Sequence, residues 1–209
     1  LSAVASVGSG VWTYAGPGIA TFNSTVIPNA SVSVSVAGVY TFTWTETNGV
    51  CNDNDDVAIT FDAVPVISAG LDDTACDLDI VLAASASVGI GTWSSVPAAG
   101  VSFAPDANDP NATVTVSSAG VYTLTWSVTN GVCTVSDDVV ETFYVQPVAN
   151  AGGDQSVCGL NYTLSAVASV GSGVWTYAGP GIATFNSTVI PNASVSVSVA
   201  GVYTFTWTE

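Results

Sequence analysis

Carboxylates are the most frequent side chains in this sequence that could do chemistry, and they occur in short clusters. The chain has 16 Asp and Glu residues and no Lys, Arg or His, so its formal net charge is −16 at pH 7. Calcium prefers several carboxylate and carbonyl oxygens, and no basic side chain competes for them here. Asp72-Asp73 and Asp137-Asp138 are therefore candidate calcium ligands. The alternative is that such clusters are solvated turn residues at strand ends.

The absence of basic side chains excludes several classes of function. Catalytic triads and Schiff bases need His or Lys, so we expect no enzyme. Paired carboxylates serve glycosidases, but no other catalytic group supports them here. Phosphate contacts depend on Lys and Arg, so no nucleic-acid partner is expected. The sequence has no run of 18 apolar residues, so we expect no membrane insertion in this segment. Calcium aside, we expect no cofactor.

Internal repetition sets the domain organisation. Residues 1–46 are identical to residues 164–209, an offset of 163. A weaker repeat of about half that length relates Pro65 to Pro147 and Trp93 to Trp175, which are 82 residues apart in each case. We therefore predict three domains: repeat 1 (residues 1–64, truncated at its N-terminus), repeat 2 (residues 65–146, complete) and repeat 3 (residues 147–209, truncated at its C-terminus).

Period-two alternation predicts the fold class. In the stretch AGVYTLTWSVTNGVC, residues 119–133, large apolar residues alternate with Thr and Ser, which is typical of a half-buried strand. Asn130-Gly131 follows and favours a type I′ hairpin. Repeat 2 contains about seven such short strands and no credible helix, so we expect an all-β protein of tandem seven-stranded β-sandwiches in an extended array. These strands are predicted at 64–69, 80–85, 91–95, 101–104, 113–117, 121–129 and 132–144.

One residue of the last predicted strand opposes this pattern. Glu141 stands where repeat 1 has Ile59, a position that should face the core. Either that face is partly solvated, or the strand contains a bulge.

The motifs of the repeats resemble those of a known group of proteins. The opening PVANAGGDQSVCG (147–159), the central G-x-W and the ending AGVYTLTWSVTNGVC resemble Ig-like, PKD-type repeats of large Bacteroidetes surface proteins, including giant adhesins of gliding bacteria. The Tyr122 position also resembles the tyrosine corner of immunoglobulin domains. The resemblance implies a β-sandwich fold and a place on the bacterial cell surface.

Four cysteines follow the repeat. Cys51, Cys76, Cys133 and Cys158 are separated by 25, 57 and 25 residues, so each repeat has one early and one late cysteine. Repeat logic predicts a Cys76–Cys133 disulfide within repeat 2, with Cys51 and Cys158 paired outside this sequence. The rival pairing is Cys51–Cys76, between two repeats. Disulfides indicate an oxidising compartment, and the lack of C-x-x-C and His disfavours zinc.

Two function hypotheses follow. The first is a structural repeat segment of a long extracellular stalk, adhesin or filament, stabilised by intradomain disulfides, whose partners are neighbouring repeats or other copies in a fibre. The second is a glycan- or ice-binding adhesive module that acts through avidity. The row Thr41, Thr43, Thr45 and Thr47 would serve the second hypothesis, although Thr is also simply common in strands. The Trp residues are expected in the cores.

Overall fold

The computed structural model describes all residues 1–209, and it contains strands but no helix. The prediction of an all-β, Ig-like tandem fold is confirmed. Since there is no helix, no helical segment is long and apolar enough to cross a membrane.

The strands are short, except for the last two strands of repeat 1 and of repeat 2, which have 11 residues each. In repeat 1 they are β1 (Ser9–Ala15), β2 (Ala20–Phe22), β3 (Val32–Val34), β4 (Gly38–Asn48) and β5 (Cys51–Phe61). In repeat 2 they are β6 (Ile67–Ser68), β7 (Asp73–Ala75), β8 (Asp79–Val81), β9 (Ser85–Ala86), β10 (Ile90–Val96), β11 (Val101–Ala104), β12 (Thr113–Val116), β13 (Gly120–Asn130) and β14 (Cys133–Phe143). In repeat 3 they are β15 (Asn161–Thr163), β16 (Val174–Ala178), β17 (Ala183–Phe185), β18 (Ser194–Val197) and β19 (Thr204–Thr208).

Repeat 2 has the strands of an Ig-like sandwich. One sheet has the order β10-β13-β14-β7, a second has the order β11-β12-β8, and β6 and β9 form a separate two-stranded sheet. Eight of the nine segments correspond to the seven predicted strands, because the second predicted strand is interrupted between β8 and β9. The first predicted strand ends before Gly70, which has φ of 107°, a value that favours glycine. The chain then leaves the sheet of β6 and joins β14 as β7, a segment that the sequence analysis missed.

The other repeats contain parts of the same arrangement. Repeat 1 has the sheets β1-β4-β5 and β2-β3, and repeat 3 has β15-β18-β17 and β16-β19. By contacts the chain divides into two compact units. The first contains residues 1–73, 80–116 and 122–141, and the second contains residues 74–79, 117–121 and 142–209. The repeat boundaries at 64/65 and 146/147 stay predictions.

The alternation predicted for the long strand is confirmed. Tyr122, Leu124 and Trp126 are buried, whereas Thr123, Thr125 and Ser127 between them are only half-buried. The predicted hairpin, however, is wrong by one residue. The loop is Gly131-Val132, and Asn130 ends β13 without positive φ. Glycine at the first central position with φ of 58° fits a type II′ turn, not type I′.

Each repeat contains a pair of tryptophans directly opposite each other on adjacent strands. The pairs are Trp12–Trp44, Trp93–Trp126 and Trp175–Trp207, with ring centroids 5.1–5.2 Å apart and tilted planes. All six rings are buried. Tilted aromatic pairs contribute about 0.5–1.5 kcal/mol beyond their buried area.

A glycine two residues before the first tryptophan makes room for the second ring. A Cβ at Gly10, Gly91 or Gly173 would overlap the ring of Trp44, Trp126 or Trp207, respectively. Because side chains alternate along a strand, the glycine and the first tryptophan share a face. The G-x-W motif is therefore a packing requirement of the tryptophan pair.

Tyrosine-corner bonds are present at Tyr40 and Tyr203, the counterparts of Tyr122 in repeats 1 and 3. The hydroxyl of Tyr40 donates to the carbonyl of Val36 at 2.9 Å, and the hydroxyl of Tyr203 donates to the carbonyl of Val199 at 3.1 Å. These bonds fix the turn that leads into each long strand.

We predict that Gly91→Ala destabilises the protein by about 1–3 kcal/mol, the usual cost of overpacking a core. The added methyl group would displace the Trp126 ring from Trp93. Denaturant unfolding followed by tryptophan fluorescence measures the change.

Gly153→Ala is the matched control, because a Cβ at that position meets no atom within 4 Å. Equal stabilities for the two variants would contradict the packing role of Gly91.

Candidate functional site: carboxylates, cysteines and the repeat junction

Carboxylates attach the segment after the strand break to β14. Asp137 Oδ2 accepts a hydrogen bond from the backbone N–H of Ala69 at 2.9 Å, and Asp72 Oδ1 accepts one from that of Val140 at 2.9 Å. Carboxylates accept backbone N–H groups in strong, charge-assisted bonds. They compensate for ladder bonds that the opening strand loses when it changes sheets.

The structure brings Asp72 and Asp137 to the same strand, but as hydrogen-bond acceptors. Asp72, Asp73, Asp137 and Asp138 are all exposed. No group of three or more His, Cys, Asp or Glu residues is arranged to hold a metal ion. Calcium binding by these four residues stays a prediction.

Glu141 is the one charged residue of the core. It is 2% exposed, and its Oε2 accepts the backbone N–H of Asp73 at 3.1 Å. Burial raises the pKa of Glu141, the hydrogen bond from Asp73 opposes this, and the nearby charges of Asp73 and Asp72 raise it further. The face at Glu141 is therefore buried. The sequence pointed to Glu141 because repeat 1 has Ile59 at the corresponding position, but it did not identify Asp73 as the hydrogen-bond donor.

Two further glutamates lie beside the second tryptophan of the cross-strand pair, one in repeat 1 and one in repeat 3. Glu46 accepts hydrogen bonds from the indole of Trp44 and from Ser6, and Glu209 accepts them from Trp207 and Ser169. The serine hydroxyl in particular lowers the pKa of each, that of Glu209 to about 2.

Repeat 2 lacks this acceptor. Val128 occupies the place of Glu46, two residues after Trp126, and the buried indole N–H of Trp126 has no hydrogen-bond partner. An unpaired buried donor destabilises the fold by about 1–3 kcal/mol. The two kinds of repeat thus differ in polarity at the same position of the core.

The predicted Cys76–Cys133 disulfide is wrong. All four cysteines are free, and no two of them lie at disulfide distance. Cys133 begins β14, which is 11 residues long and so spans about 35 Å. Cys76 lies near the other end of that strand, because the carbonyl of Ala75 accepts the N–H of Tyr144 at 2.7 Å.

The rival pairing fails too, since Cys51 and Cys76 are likewise not at disulfide distance. Cys51 begins β5, and it is the far end of β5 that leads towards repeat 2. Intradomain disulfides therefore do not stabilise this segment, contrary to the function predicted from the sequence. The repeat spacing carried no information about the end of a strand at which each cysteine lies.

The junction between repeats 1 and 2 is a hydrogen-bonded contact. At the tip of the β13–β14 hairpin, Asn130 Nδ2 donates to the carbonyl of Ala63 at 2.8 Å. The N–H of Val132 donates to Asp62 Oδ2 at 3.0 Å, and Cys133 Sγ lies 3.8 Å from the carbonyl of Asp62. Sequence reasoning missed this contact. The signal for it was the short link between the repeats, which leaves the last residues of repeat 1 within reach of the hairpin.

These features define tandem Ig-like β domains, and the strand order of repeat 2 carries that assignment. No family model matches the chain, and no curated protein matches it.

Solved structures with similarity to the chain include the I-band fragment I67-I69 of titin, with 12% identity and a TM-score of 0.49 over 96% of this chain and 82% of that one. The extracellular cadherin domains 1–4 of protocadherin gamma B7 have 12% identity and a TM-score of 0.34, over 94% and 65%. Domains 1–6 of the surface layer protein SbsC have 15% identity and a TM-score of 0.26, over 94% and 29%.

We predict that Glu141→Gln makes the protein more stable at neutral pH. Because the folded-state pKa of Glu141 is raised above the usual 4.5, its unfavourable contribution is absent below pH 4.5 and grows as pH rises through the folded pKa. Glutamine keeps an acceptor for Asp73 but has no charge. Unfolding curves measured between pH 4 and pH 8 test this.

Glu46→Gln is the control of opposite sign. Hydrogen bonds lower the folded-state pKa of Glu46, so its contribution is present above pH 4.5 and is lost as pH falls through the folded pKa. The variant should therefore lose stability at neutral pH. If Glu141→Gln also loses stability there, the account of Glu141 is wrong.

Proposed function

We propose that this chain is a spacer segment, in which tandem Ig-like sandwiches are joined by fixed junctions that set the distance between what lies on either side. The hydrogen-bonded junction between repeats 1 and 2 carries this proposal. A spacer needs neither a pocket nor a catalytic group, but it does need linkers without free length.

The linker between repeats 1 and 2 has little free length. Asp62 and Ala63 are bonded to the hairpin of repeat 2. Two residues further on, Pro65 has a fixed φ. Val66 is bonded twice to Ser87, since its N–H donates to Ser87 Oγ at 3.0 Å and its carbonyl accepts the Ser87 N–H at 2.9 Å. Polar contacts therefore hold the chain on both sides of the proline.

The stability of the spacer comes from its cores. The cross-strand tryptophan pairs, the buried face of each long strand and the carboxylate bonds to backbone N–H groups supply it. In keeping with a purely structural role, we propose that the segment is not an enzyme. The absence of His, Lys and Arg from the sequence supports this.

We place this spacer outside the cell, on a bacterial surface. The resemblance of PVANAGGDQSVCG and of the strand motifs to Bacteroidetes surface repeats supports this placement. A sequence without Lys or Arg also offers trypsin-like proteases no cleavage site. Neighbouring repeats of the same chain are the proposed partners. Recurrence of one contact along near-identical repeats would also permit assembly into a fibre.

We predict that repeats 1 and 2 keep one fixed separation in solution. Spin labels at Cys51 and at Ser102→Cys, with the other three cysteines replaced by serine, report it by electron–electron dipolar spectroscopy. Both positions are exposed. The distance distribution should be narrow, and it should broaden in Asp62→Ala/Asn130→Ala, which lacks both side-chain bonds of the junction.

Asp56→Ala is the matched control, because Asp56 is an exposed aspartate on β5, the strand that Asp62 directly follows, and its loss changes the charge equally. It should leave the distribution narrow. A distribution in the parent chain as broad as in the double variant would overturn the spacer proposal.

A further inference from the structure

The geometry points to a disulfide between consecutive repeats, in which the hairpin cysteine of one repeat bonds to the early cysteine of the repeat before it. This inference rests on the junction of the proposed spacer. It concerns a covalent bond that neither sequence pairing considered.

The hairpin cysteine of repeat 2 lies against the end of repeat 1. Cys133 lies at the tip of the β13–β14 hairpin, and its Sγ is 3.8 Å from the carbonyl of Asp62 in the preceding repeat. Asp62 directly follows β5, the last strand of repeat 1. A hairpin cysteine therefore faces the end of the repeat that precedes it.

The early cysteine of repeat 2 lies beside the residue that follows the last strand of that repeat. The residue of repeat 2 that corresponds to Asp62 is Tyr144, 82 positions later, and it directly follows β14. Its N–H donates to the carbonyl of Ala75 at 2.7 Å. Cys76 is the next residue after Ala75, and its side chain is exposed. An early cysteine therefore lies beside the same residue of the repeat that a following hairpin contacts.

Both kinds of cysteine therefore lie beside the residue that directly follows the last strand of a repeat. Wherever consecutive repeats reproduce the observed junction, the early cysteine of one repeat and the hairpin cysteine of the next lie near the same residue after the last strand. Disulfides need Cα atoms about 4.4–6.8 Å apart, a range compatible with two neighbours of a single residue.

The same arrangement explains the four free thiols. The junction of repeats 1 and 2 contains Cys133, but residues 1–50 contain no counterpart of Cys76. The next junction contains Cys76, but residues 159–209 contain no counterpart of Cys133. Neither junction has both members within residues 1–209.

The bond forms by thiol–disulfide exchange with oxidised glutathione. One thiolate attacks the glutathione disulfide, forms a mixed disulfide and releases one reduced glutathione. The second cysteine thiolate then attacks the protein sulfur of the mixed disulfide and releases the second. The two protein thiols lose two electrons and two protons, and the two glutathione molecules gain them.

The test extends the chain through a second copy of residues 47–64 placed after Glu209, which continues the repeat and adds one cysteine equivalent to Cys51. The protein is oxidised with glutathione, alkylated and digested with chymotrypsin, and the linked peptides are identified by mass spectrometry. We expect Cys76 to be joined to the added cysteine, with Cys51, Cys133 and Cys158 alkylated. Cys158 joined to the added cysteine, or five alkylated cysteines in folded protein, would overturn the inference.

A second extension tests the other junction independently. A copy of residues 147–163 placed before Leu1 adds a cysteine equivalent to Cys158, which should join Cys133. The unextended chain is the control, and all four of its cysteines should be alkylated. A Cys76–Cys133 bond there would overturn the inference.

The inference and the spacer proposal can fail independently. A narrow spin-label distance distribution without the new disulfides would refute only this inference. A broad distribution with the new disulfides would refute only the spacer proposal.

Discussion

The cross-strand tryptophan pair is the interaction on which each sandwich depends. Two indole rings lie opposite each other on adjacent strands of one sheet, and a glycine diagonal to the second ring leaves room for it. The first indole also reaches across to the opposite loop, since Trp93 Nε1 donates to the carbonyl of Asp109 at 3.1 Å and Trp12 Nε1 to that of Ile27 at 3.2 Å. One pair therefore fixes the register of two strands and the position of a loop.

The absence of cationic side chains determines how the acidic residues are used. Ion pairs with basic side chains are impossible, so carboxylates take backbone N–H, hydroxyl and indole donors instead. Where the donors are strong and water is near, as at Glu46, the charged form is favoured; where burial dominates, as at Glu141, the neutral form is favoured. The same residue type thus accepts hydrogen bonds at the edge of one core with a lowered pKa and inside another core with a raised pKa.

Local patterns predicted most of this fold, whereas features that depend on distant contacts were missed. Alternation around Trp126 gave the long strand and its buried face, because the period of two is local. The turn was misplaced by one residue, since Asn130 and Gly131 are equally good turn formers in isolation. The strand break at Gly70 and the positions of Cys76 and Cys133 depend on which sheet the opening strand joins, and no spacing encodes that. The junction at Asp62 depends on the packing of one repeat against another.

Taken together, the sandwiches are held by their cores and not by intradomain disulfides, and this suits a chain of such repeats to the proposed spacer role. Stretching single molecules by their ends tests this directly. Repeat 2 should unfold in one discrete event that releases about 270 Å of chain, as expected for roughly 80 residues, and this length should be the same with and without reductant. Gradual lengthening without a discrete event, or an event shortened under oxidising conditions, would contradict the account.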